Sequence, residues 1–258
     1  MTDEIAVTDS GGVRLLELNR PDSLNALTDT MRRSIEECVR EFDADDSLKA
    51  LVLTGRGRGF CSGADLANAQ PVEKLSRRHR KQPRFWWHLP FDTTEKPTIC
   101  ALNGVAAGGG LGLALSCDII IAGASAKLHP AFLKVALSPD NGVAQQIVRR
   151  IGYSRSLLFF LRGEPFTAEQ AAAIGLVDEV VPDAELNDSA MTLATTVATG
   201  PSVAIELTKR LLKSANELDR KTALALEEIS INLSRGTLDA AEGVAAFRER
   251  RSPVWRGE

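Results

Sequence analysis

Short apolar runs alternate with helix-like patterns along the first two-thirds of the chain. Residues 5–8 and 13–19 predict two strands joined by a turn, because a cluster of Asp, Ser and Gly separates them. From Thr28 onwards apolar residues recur every three or four positions, which predicts an amphipathic helix. Three further apolar runs predict buried strands, at residues 50–54, 99–103 and 117–122. Buried strands that alternate with helices predict an α/β chain.

The last third of the chain is helical almost throughout. Residues 167–170 fit a capping box, and Gly175 is typical of a helix stop. Residues 176–181 predict one short strand, and residues 217–234 and 237–250 predict the last two helices. The apolar faces of these helices are broad, so we expect them to pack on the rest of the chain or on a second subunit.

Composition narrows the class of protein. The chain has 258 residues, of which 44% are apolar and 25% charged, so it is long and apolar enough for one large domain. A net charge of −3 argues against a binder of nucleic acid or of membrane surfaces, since both rely on positive charge. No apolar run approaches the roughly 20 residues that a membrane-spanning helix needs. Residues 1–4 carry two acids, which is atypical of a secretory signal, so we expect a cytoplasmic protein.

The cysteines and histidines are too scattered to predict a metal site. The four cysteines form no close pair, and the three histidines lack the spacing of metal ligands. We therefore expect neither a bound metal nor a disulfide framework.

A basic and aromatic segment stands apart at residues 71–91. It holds six Lys or Arg side chains and includes Phe85, Trp86 and Trp87. Three interpretations stay open. The segment is a solvated helix that leads into a buried aromatic anchor, a pocket wall beside an anionic ligand, or a surface for single-stranded nucleic acid.

Two glycine-rich stretches lack the spacing of nucleotide-binding loops. Phe60 stands where the dinucleotide motif needs its last glycine in residues 55–60, and Leu113 stands there in residues 108–113. No Lys-Ser or Lys-Thr pair follows either stretch at P-loop spacing. A Rossmann or Walker site is therefore not expected.

Each of these stretches follows a predicted strand. The strand at residues 50–54 leads into a turn with Gly63 and Ala64, and the strand at residues 99–103 leads into Gly109 at the start of an apolar helix. Glycines at a helix start leave backbone N–H groups unshielded, so two such turns can hold one oxygen between two donors. The alternative is that the glycines only allow a helix to pack closely on a sheet.

Six short motifs follow one another along the chain: LNRP at 18–21, NAL at 25–27, FCSGADL at 60–66, NGVAAGGG at 103–110, CD at 117–118 and AAAIGLV at 171–177. Their order resembles the crotonase superfamily, the enoyl-CoA hydratase/isomerase family. The resemblance implies an α/β fold, a spiral of ββα units followed by a helical trimerisation region. We accordingly expect a core with the acyl-CoA site in residues 1–199 and an oligomerisation region in residues 200–258. A homotrimer or homohexamer is the implied assembly.

The resemblance also implies the substrate and the residues that bind it. The substrate is an acyl-CoA thioester, so coenzyme A is part of the substrate and no separate cofactor is expected. The backbone N–H groups of Ala64 and Gly109 bind the thioester oxygen. The other residues that the resemblance places along the acyl-CoA are Ala26, Ser62, Asp65, Leu66, Ala67, Gly108, Phe132 and, towards a neighbouring subunit, Phe247.

The chain departs from the hydratases of this family at both of their catalytic glutamates. The resemblance places Gly112 and Phe132 at those positions, and neither side chain holds or polarises a water. Addition of water to a conjugated double bond needs a base for the water and an acid for the carbon. Ordinary hydratase activity is therefore not expected.

A carboxylate occurs instead at Asp140. The residues alone favour a turn, because Pro-Asp-Asn-Gly is typical turn chemistry, and Asp140 can also cap the next helix. Residues 131–140 and 245–251, however, resemble the ring-epoxyphenylacetyl-CoA isomerases, which implies that Asp140 is the catalytic acid/base. We expect apolar neighbours such as Phe132 to raise its pKa, and we interpret His129 as structural.

Three functions stay open on these grounds. The first is an isomerase that shifts the double bond of an enoyl-CoA, or of a ring-type acyl-CoA, through an enolate, with Asp140 as the acid/base. The second is an enoyl-CoA hydratase or acyl-CoA hydrolase of the same superfamily. The third is an acyl-CoA binder without catalytic activity.

Overall fold

The computed structural model describes residues 3–65, 91, 93–215 and 217–258. Within these residues two β-sheets and their surrounding helices confirm the predicted α/β class. In this part of the chain no helix is both long and apolar enough to cross a bilayer.

The larger sheet has six strands. The first two form the predicted antiparallel hairpin, and all other neighbours in the sheet are parallel. In spatial order the strands are β1 (Ile5–Ser10), β2 (Val13–Leu18), β3 (Ala50–Gly55), β5 (Thr98–Leu102), β7 (Ile119–Gly123) and β10 (Glu179–Val181).

A smaller sheet precedes the two glycine-rich turns. Its first three strands are parallel and its last pair is antiparallel. The apolar pattern did not predict this sheet, because strands of two or three residues are too short to show an alternation. In spatial order the strands are β4 (Gly59–Cys61), β6 (Val105–Ala107), β8 (Lys127–His129) and β9 (Phe166–Thr167).

The helices begin and end largely where local signals predict. The Thr28 hydroxyl accepts the N–H of Met31 at 2.9 Å and so caps the first helix, and the capping box at Thr167 and Gln170 is formed. The α-helices are α1 (Asp29–Ala44), α2 (Gly109–Ser116), α3 (Val143–Ile151), α4 (Tyr153–Arg162), α5 (Ala168–Ala173), α6 (Leu186–Ala198), α7 (Ser202–Ser214), α8 (Arg220–Arg235) and α9 (Leu238–Glu249).

Two predicted strands are shorter than expected. The strand expected at residues 117–122 begins only at Ile119, because Cys117 still ends α2 through a hydrogen bond from its N–H to the Ala114 carbonyl. The strand expected at residues 176–181 begins at Glu179. The apolar residues before it, Leu176 and Val177, are buried in the turn after α5, so their apolar character reflects burial rather than strand pairing.

The fully apolar strand β3 lies between two layers of the core. Leu51 and Leu53 belong to a cluster that includes the buried side of α1, whereas Ala50 and Val52 pack with residues of α6 on the opposite face. Burial on both faces explains why this strand shows no alternation of apolar and polar residues.

The C-terminal helices are anchored to the core by an ion pair and leave apolar surface exposed. Lys209 of α7 contacts the Asp118 carboxylate at 2.6 Å, with the lysine almost fully buried. On α8 and α9, in contrast, several large apolar side chains are exposed: Leu224, Ile229, Ile231, Leu233, Leu238, Val244 and Phe247.

Candidate active site

The first backbone donor lies in the turn after β4. Gly63 has a φ of 97°, and a methyl group at this position would come within 2.8 Å of the Ala107 carbonyl. The turn pairs with the segment before α1: the Leu27 N–H donates to the Gly63 carbonyl at 2.7 Å, and the Asp65 N–H donates to the Leu27 carbonyl at 3.0 Å. These two bonds form a β-bridge between Leu27 and Ala64, and the N–H of Ala64 takes no part in it.

The second backbone donor begins α2. After β6, Gly108 has a φ of 51° and a ψ of −121°, a conformation that glycine adopts readily and that turns the chain into the helix. Gly109 is the first residue of α2, so its N–H has no acceptor within the helix. The helix dipole adds positive potential at the same point.

The two turns bring the two donors close together. The Cβ that Gly63 lacks would lie 3.3 Å from the Gly109 nitrogen, and the Cβ that Gly109 lacks would lie 3.9 Å from the Ala64 nitrogen. Among the described residues, neither the Ala64 N–H nor the Gly109 N–H donates to a protein acceptor. Paired backbone donors of this kind suit an oxygen on which negative charge develops.

An arginine that the sequence analysis did not assign holds the first turn in place. Arg20 donates to the carbonyl of Ala26 and, at 3.0 Å, to the carboxylate of Asp65. These acceptors lie on either side of the bridge between Leu27 and Ala64. The LNRP motif contained the signal, but the role of its arginine depends on a bridge that the sequence does not show.

Asn25 fixes the same segment from the other side. Its side chain is fully buried, and its Nδ2 donates to the carbonyls of Arg56, Gly59 and Phe60 at 2.9–3.1 Å. Three acceptors on one amide hold the segment before α1 against β4 and the turn that leads into it.

Asp140 lies between a 3-10 helix (Ala131–Val135) and α3. Its backbone carbonyl accepts the N–H of Val143 at 3.0 Å, which confirms the predicted turn. The prediction that its side chain caps α3 is wrong: the N-cap residue is Gly142, and no side chain caps this helix start. The carboxylate therefore has no role in starting the helix.

The side chain of Asn141 connects Asp140 with the donor pair. Asn141 Nδ2 donates to Asp140 Oδ1 at 3.0 Å, and it lies 3.6 Å from the position of the Cβ that Gly109 lacks. A role for Asn141 was not predicted from the sequence. Its signal was an asparagine before a glycine, which fits a purely structural turn equally well.

Burial raises the pKa of the Asp140 carboxyl above its ordinary value, and the positive charge of Arg32 on α1 lowers this pKa in part. The residue as a whole is nevertheless exposed to solvent. The loss of hydration is therefore partial and arises from protein atoms around the carboxyl group. A carboxyl with a raised pKa both accepts and returns a proton more readily near neutral pH.

The two residues that stand at the positions of the hydratase glutamates are both apolar. Gly112 lies one turn after Gly109 in α2 and is buried. Phe132 is buried in the 3-10 helix, and its ring centroid is 6.2 Å from that of Phe160.

His129 ends β8 beside a lysine. Its Nε2 lies 3.4 Å from Lys134 Nζ, and burial together with the charge of Lys134 lowers its pKa. Both effects disfavour the charged imidazolium. In the part of the chain that the structure describes, no three His, Cys, Asp or Glu side chains cluster as metal ligands.

The remaining predicted binding residues lie in different places. Ser62 Oγ donates to the Ser23 carbonyl at 3.2 Å, and Ala26 is buried beside it in the same region. Phe247 is 85% exposed on α9 and borders a cavity together with Trp255, away from the donor pair. Leu66, Ala67 and the aromatic residues at 85–87 lie outside the described residues.

Comparison with known proteins places the chain in a family. Residues 8–258 match the family model described as enoyl-CoA hydratase/isomerase. The 1,2-epoxyphenylacetyl-CoA isomerase of Escherichia coli is 40% identical over 251 residues, which cover 96% of each chain. The 2,3-dehydroadipyl-CoA hydratase of the same organism is 32% identical over 254 residues, with 98% of this chain and 99% of the relative covered.

Solved structures agree with the sequence relatives. A crystal structure of enoyl-CoA hydratase from Bacillus anthracis matches with a TM-score of 0.90 at 29% identity, over 99% of this chain and 100% of that chain. An enoyl-CoA hydratase/isomerase from Mycobacterium paratuberculosis matches with a TM-score of 0.88 at 30% identity, over the full length of both chains. The chain therefore belongs to the enoyl-CoA hydratase/isomerase family, whose crotonase-fold members act on acyl-CoA thioesters.

Proposed function

We propose that this chain is an isomerase that shifts a carbon–carbon double bond of an acyl-CoA from the β,γ to the α,β position, on a chain or on a ring-type acyl group. One observation carries the proposal. The carboxylate of Asp140 accepts a hydrogen bond from Asn141, whose Nδ2 lies 3.6 Å from the position of the Cβ that Gly109 lacks, while Gly112 and Phe132 offer no acid or base.

The proposed reaction uses the carboxylate twice. Asp140 removes a proton from the α carbon, the electron pair of that C–H bond forms a double bond between the α carbon and the carbonyl carbon, and the carbonyl π pair moves onto the thioester oxygen. The N–H groups of Ala64 and Gly109 stabilise the resulting dienolate. The protonated Asp140 then returns the same proton to the γ carbon, so substrate and product have equal mass.

Acyl-CoA binding in this proposal follows the segments that meet at the donor pair. We propose that Ala26, Ser62, Asp65 and Gly108 line the approach to the donors and that Phe132 lies on the acyl side. A relative of 40% identity is named a 1,2-epoxyphenylacetyl-CoA isomerase, which supports a ring-type acyl group.

Hydration is the second candidate, because another relative over nearly the full length is named a hydratase. Hydrolysis of the thioester belongs to the same alternative. Both reactions add a water, so mass spectrometry of the product separates them from an isomerisation.

We further propose that the protein assembles as a homotrimer or a homohexamer. The exposed apolar side chains of α8 and α9 support this assembly, since a monomer rarely leaves such a face uncovered. Phe247 would then lie at a boundary between subunits, where it reaches the acyl-CoA of a neighbour.

The experiment that tests the proposed reaction is the substitution Asp140→Asn. Asparagine keeps the size and the turn-forming tendency of the side chain but does not take up the proton. We expect isomerisation of a β,γ-enoyl-CoA to fall at least about 10²-fold, with acyl-CoA affinity within about threefold of wild type. Ultraviolet absorbance of the conjugated product and mass spectrometry measure the reaction, and calorimetry measures the affinity.

Asp219→Asn is the matched control. Asp219 is an exposed carboxylate that caps α8 through the N–H groups of Lys221 and Thr222, and asparagine caps equally well. Its activity should equal that of wild type. Full isomerase activity in Asp140→Asn would instead remove Asp140 from the reaction and make it a turn residue.

A further inference from the structure

We infer that Asn141 is a positioning residue for Asp140: its amide holds one carboxylate oxygen, Oδ1, and so presents the other, Oδ2, for proton transfer beside the donor pair. The inference rests on the proposed role of Asp140 as acid/base. It assigns to this reaction a residue that neither the turn motif nor the family motifs single out.

The contacts of the Asn141 amide support this role. Nδ2 carries two hydrogens, and one of them is donated to Asp140 Oδ1 over 3.0 Å. The same nitrogen lies 3.6 Å from the point where a Cβ of Gly109 would stand, and the Ala64 nitrogen lies 3.9 Å from that point. Three nitrogens that carry N–H groups therefore surround one small space, and the carboxylate is tied to the third of them.

The backbone explains how a side chain reaches the residue directly before it. Asn141 has a φ of 51° and Gly142 a φ of 74°, so two successive residues are left-handed. Asparagine tolerates this conformation better than other residues with a side chain. The turn folds the Asn141 amide back onto Asp140, and Val143 closes it with a hydrogen bond to the Asp140 carbonyl.

We expect the hydrogen bond from Asn141 to stabilise the charged form of Asp140. A donor to a carboxylate stabilises the charged form and lowers the pKa, which opposes the effect of burial. Arg32 on α1 acts in the same direction and is the charged group that affects Asp140 from a neighbouring element among the described residues. Loss of the Asn141 amide should therefore raise the pKa of Asp140 and release its carboxylate from one fixed orientation.

Two substitutions at Asn141 separate this role from a purely structural one. Asn141→Gly keeps the left-handed backbone and removes the amide, whereas Asn141→Asp keeps the shape and places a second carboxylate against the first. The matched control is Ala136→Gly. Ala136 is exposed in the same segment with a φ of 56°, so this control reproduces the backbone change without touching Asp140.

The readout is the pH dependence of the single-turnover isomerisation rate, because proton abstraction needs the deprotonated carboxylate and the rate falls below its pKa. In Asn141→Gly we expect the acidic limb to move to higher pH and the rate above the limb to fall about tenfold or more, the effect of losing one hydrogen bond to a charged group. In Asn141→Asp the limb should move further in the same direction. Ala136→Gly should match wild type in both respects.

The outcomes distinguish the two proposals. If Asp140→Asn is inactive but Asn141→Gly keeps the wild-type limb and rate, Asn141 has no positioning role and the proposed function stands. If Asp140→Asn is fully active, both proposals are overturned. Thermal melting of each variant identifies any that is not folded, and the two Asn141 variants differ enough in shape that one of them is expected to stay folded.

Discussion

The backbone donors and the carboxylate belong to regions of very different construction. The two donor turns, after β4 and β6, depend on the buried glycines Gly63 and Gly109, and a Cβ on Gly63 would lie 2.8 Å from the Ala107 carbonyl. Asp140 lies on a segment whose apolar side chains Leu133 and Leu137 are 45% and 54% exposed. The donors are thus fixed by the packing of the whole fold, whereas the carboxylate depends on local turn chemistry. Under the proposed function, this division fits a family whose relatives carry the names of different reactions on different CoA thioesters.

Removal of a donor should have the largest effect on turnover. Gly109→Pro deletes the N–H at the first position of α2, where a proline is compatible with a helix. We expect turnover to fall about 10²–10³-fold, as loss of one oxyanion donor typically does. Steady-state kinetics measure the loss, and a melting temperature close to wild type shows that the fold is kept. Activity within twofold of wild type in the folded variant would contradict the assignment.

Disturbing the packing around the donors should act through stability. A methyl group at Gly110 would lie 2.1 Å from the Cys61 carbonyl, which belongs to the strand before the first donor turn. We therefore expect Gly110→Ala to reduce the free energy of unfolding by about 1–3 kcal/mol in urea titrations.

Gly243→Ala is the matched control, because Gly243 is also helical but faces the ring of Trp255, a side chain that can shift. Its stability should stay within about 1 kcal/mol of wild type, since alanine also favours the helix. Equal losses in both variants would show that the donor region is no more tightly constrained than the C-terminal helices.

The smallest effect on activity is expected from the arginine beside the first donor. Arg20→Gln removes the bonds that flank the Leu27–Ala64 bridge, and we expect kcat/KM to fall about three- to tenfold. Arg14→Gln is the control: Arg14 likewise donates to a carboxylate, Asp9, and to a backbone carbonyl, but at the hairpin of β1 and β2. It should lower the melting temperature and leave kcat/KM unchanged. Equal kinetic losses would mean that Arg20 acts only through global stability.

Local signals were sufficient to predict a large part of the fold. The hairpin and the capping box at Thr167 each depend on residues within a few positions of one another, and both are confirmed. The smaller sheet was missed because its strands are too short for a pattern. Residues 176–178 were wrongly assigned to a strand because apolar residues in a buried turn resemble those of a buried strand.

The sequence predicts the two backbone donors better than it predicts the surroundings of the Asp140 carboxylate. The glycines that precede the donors stand next to predicted strands, so a sequence can indicate that two donors exist. The sequence does not show which residues lie close together in space. Asn141 lies close to both Asp140 and the space at Gly109 because of the left-handed turn and because the segment packs on α2. The same turn explains why the expected helix cap is absent, since Gly142 takes the N-cap position instead.

Both proposed donors are main-chain N–H groups. A peptide N–H does not titrate in the physiological range, so the protonation of the two donors does not change with pH. The polarisation they exert on a thioester stays constant at every pH at which the fold is intact. The carboxylate of Asp140, in contrast, loses its charge when it is protonated, and burial has raised its pKa. In the proposed reaction, acid should therefore stop proton transfer at Asp140 without changing the two N–H donors.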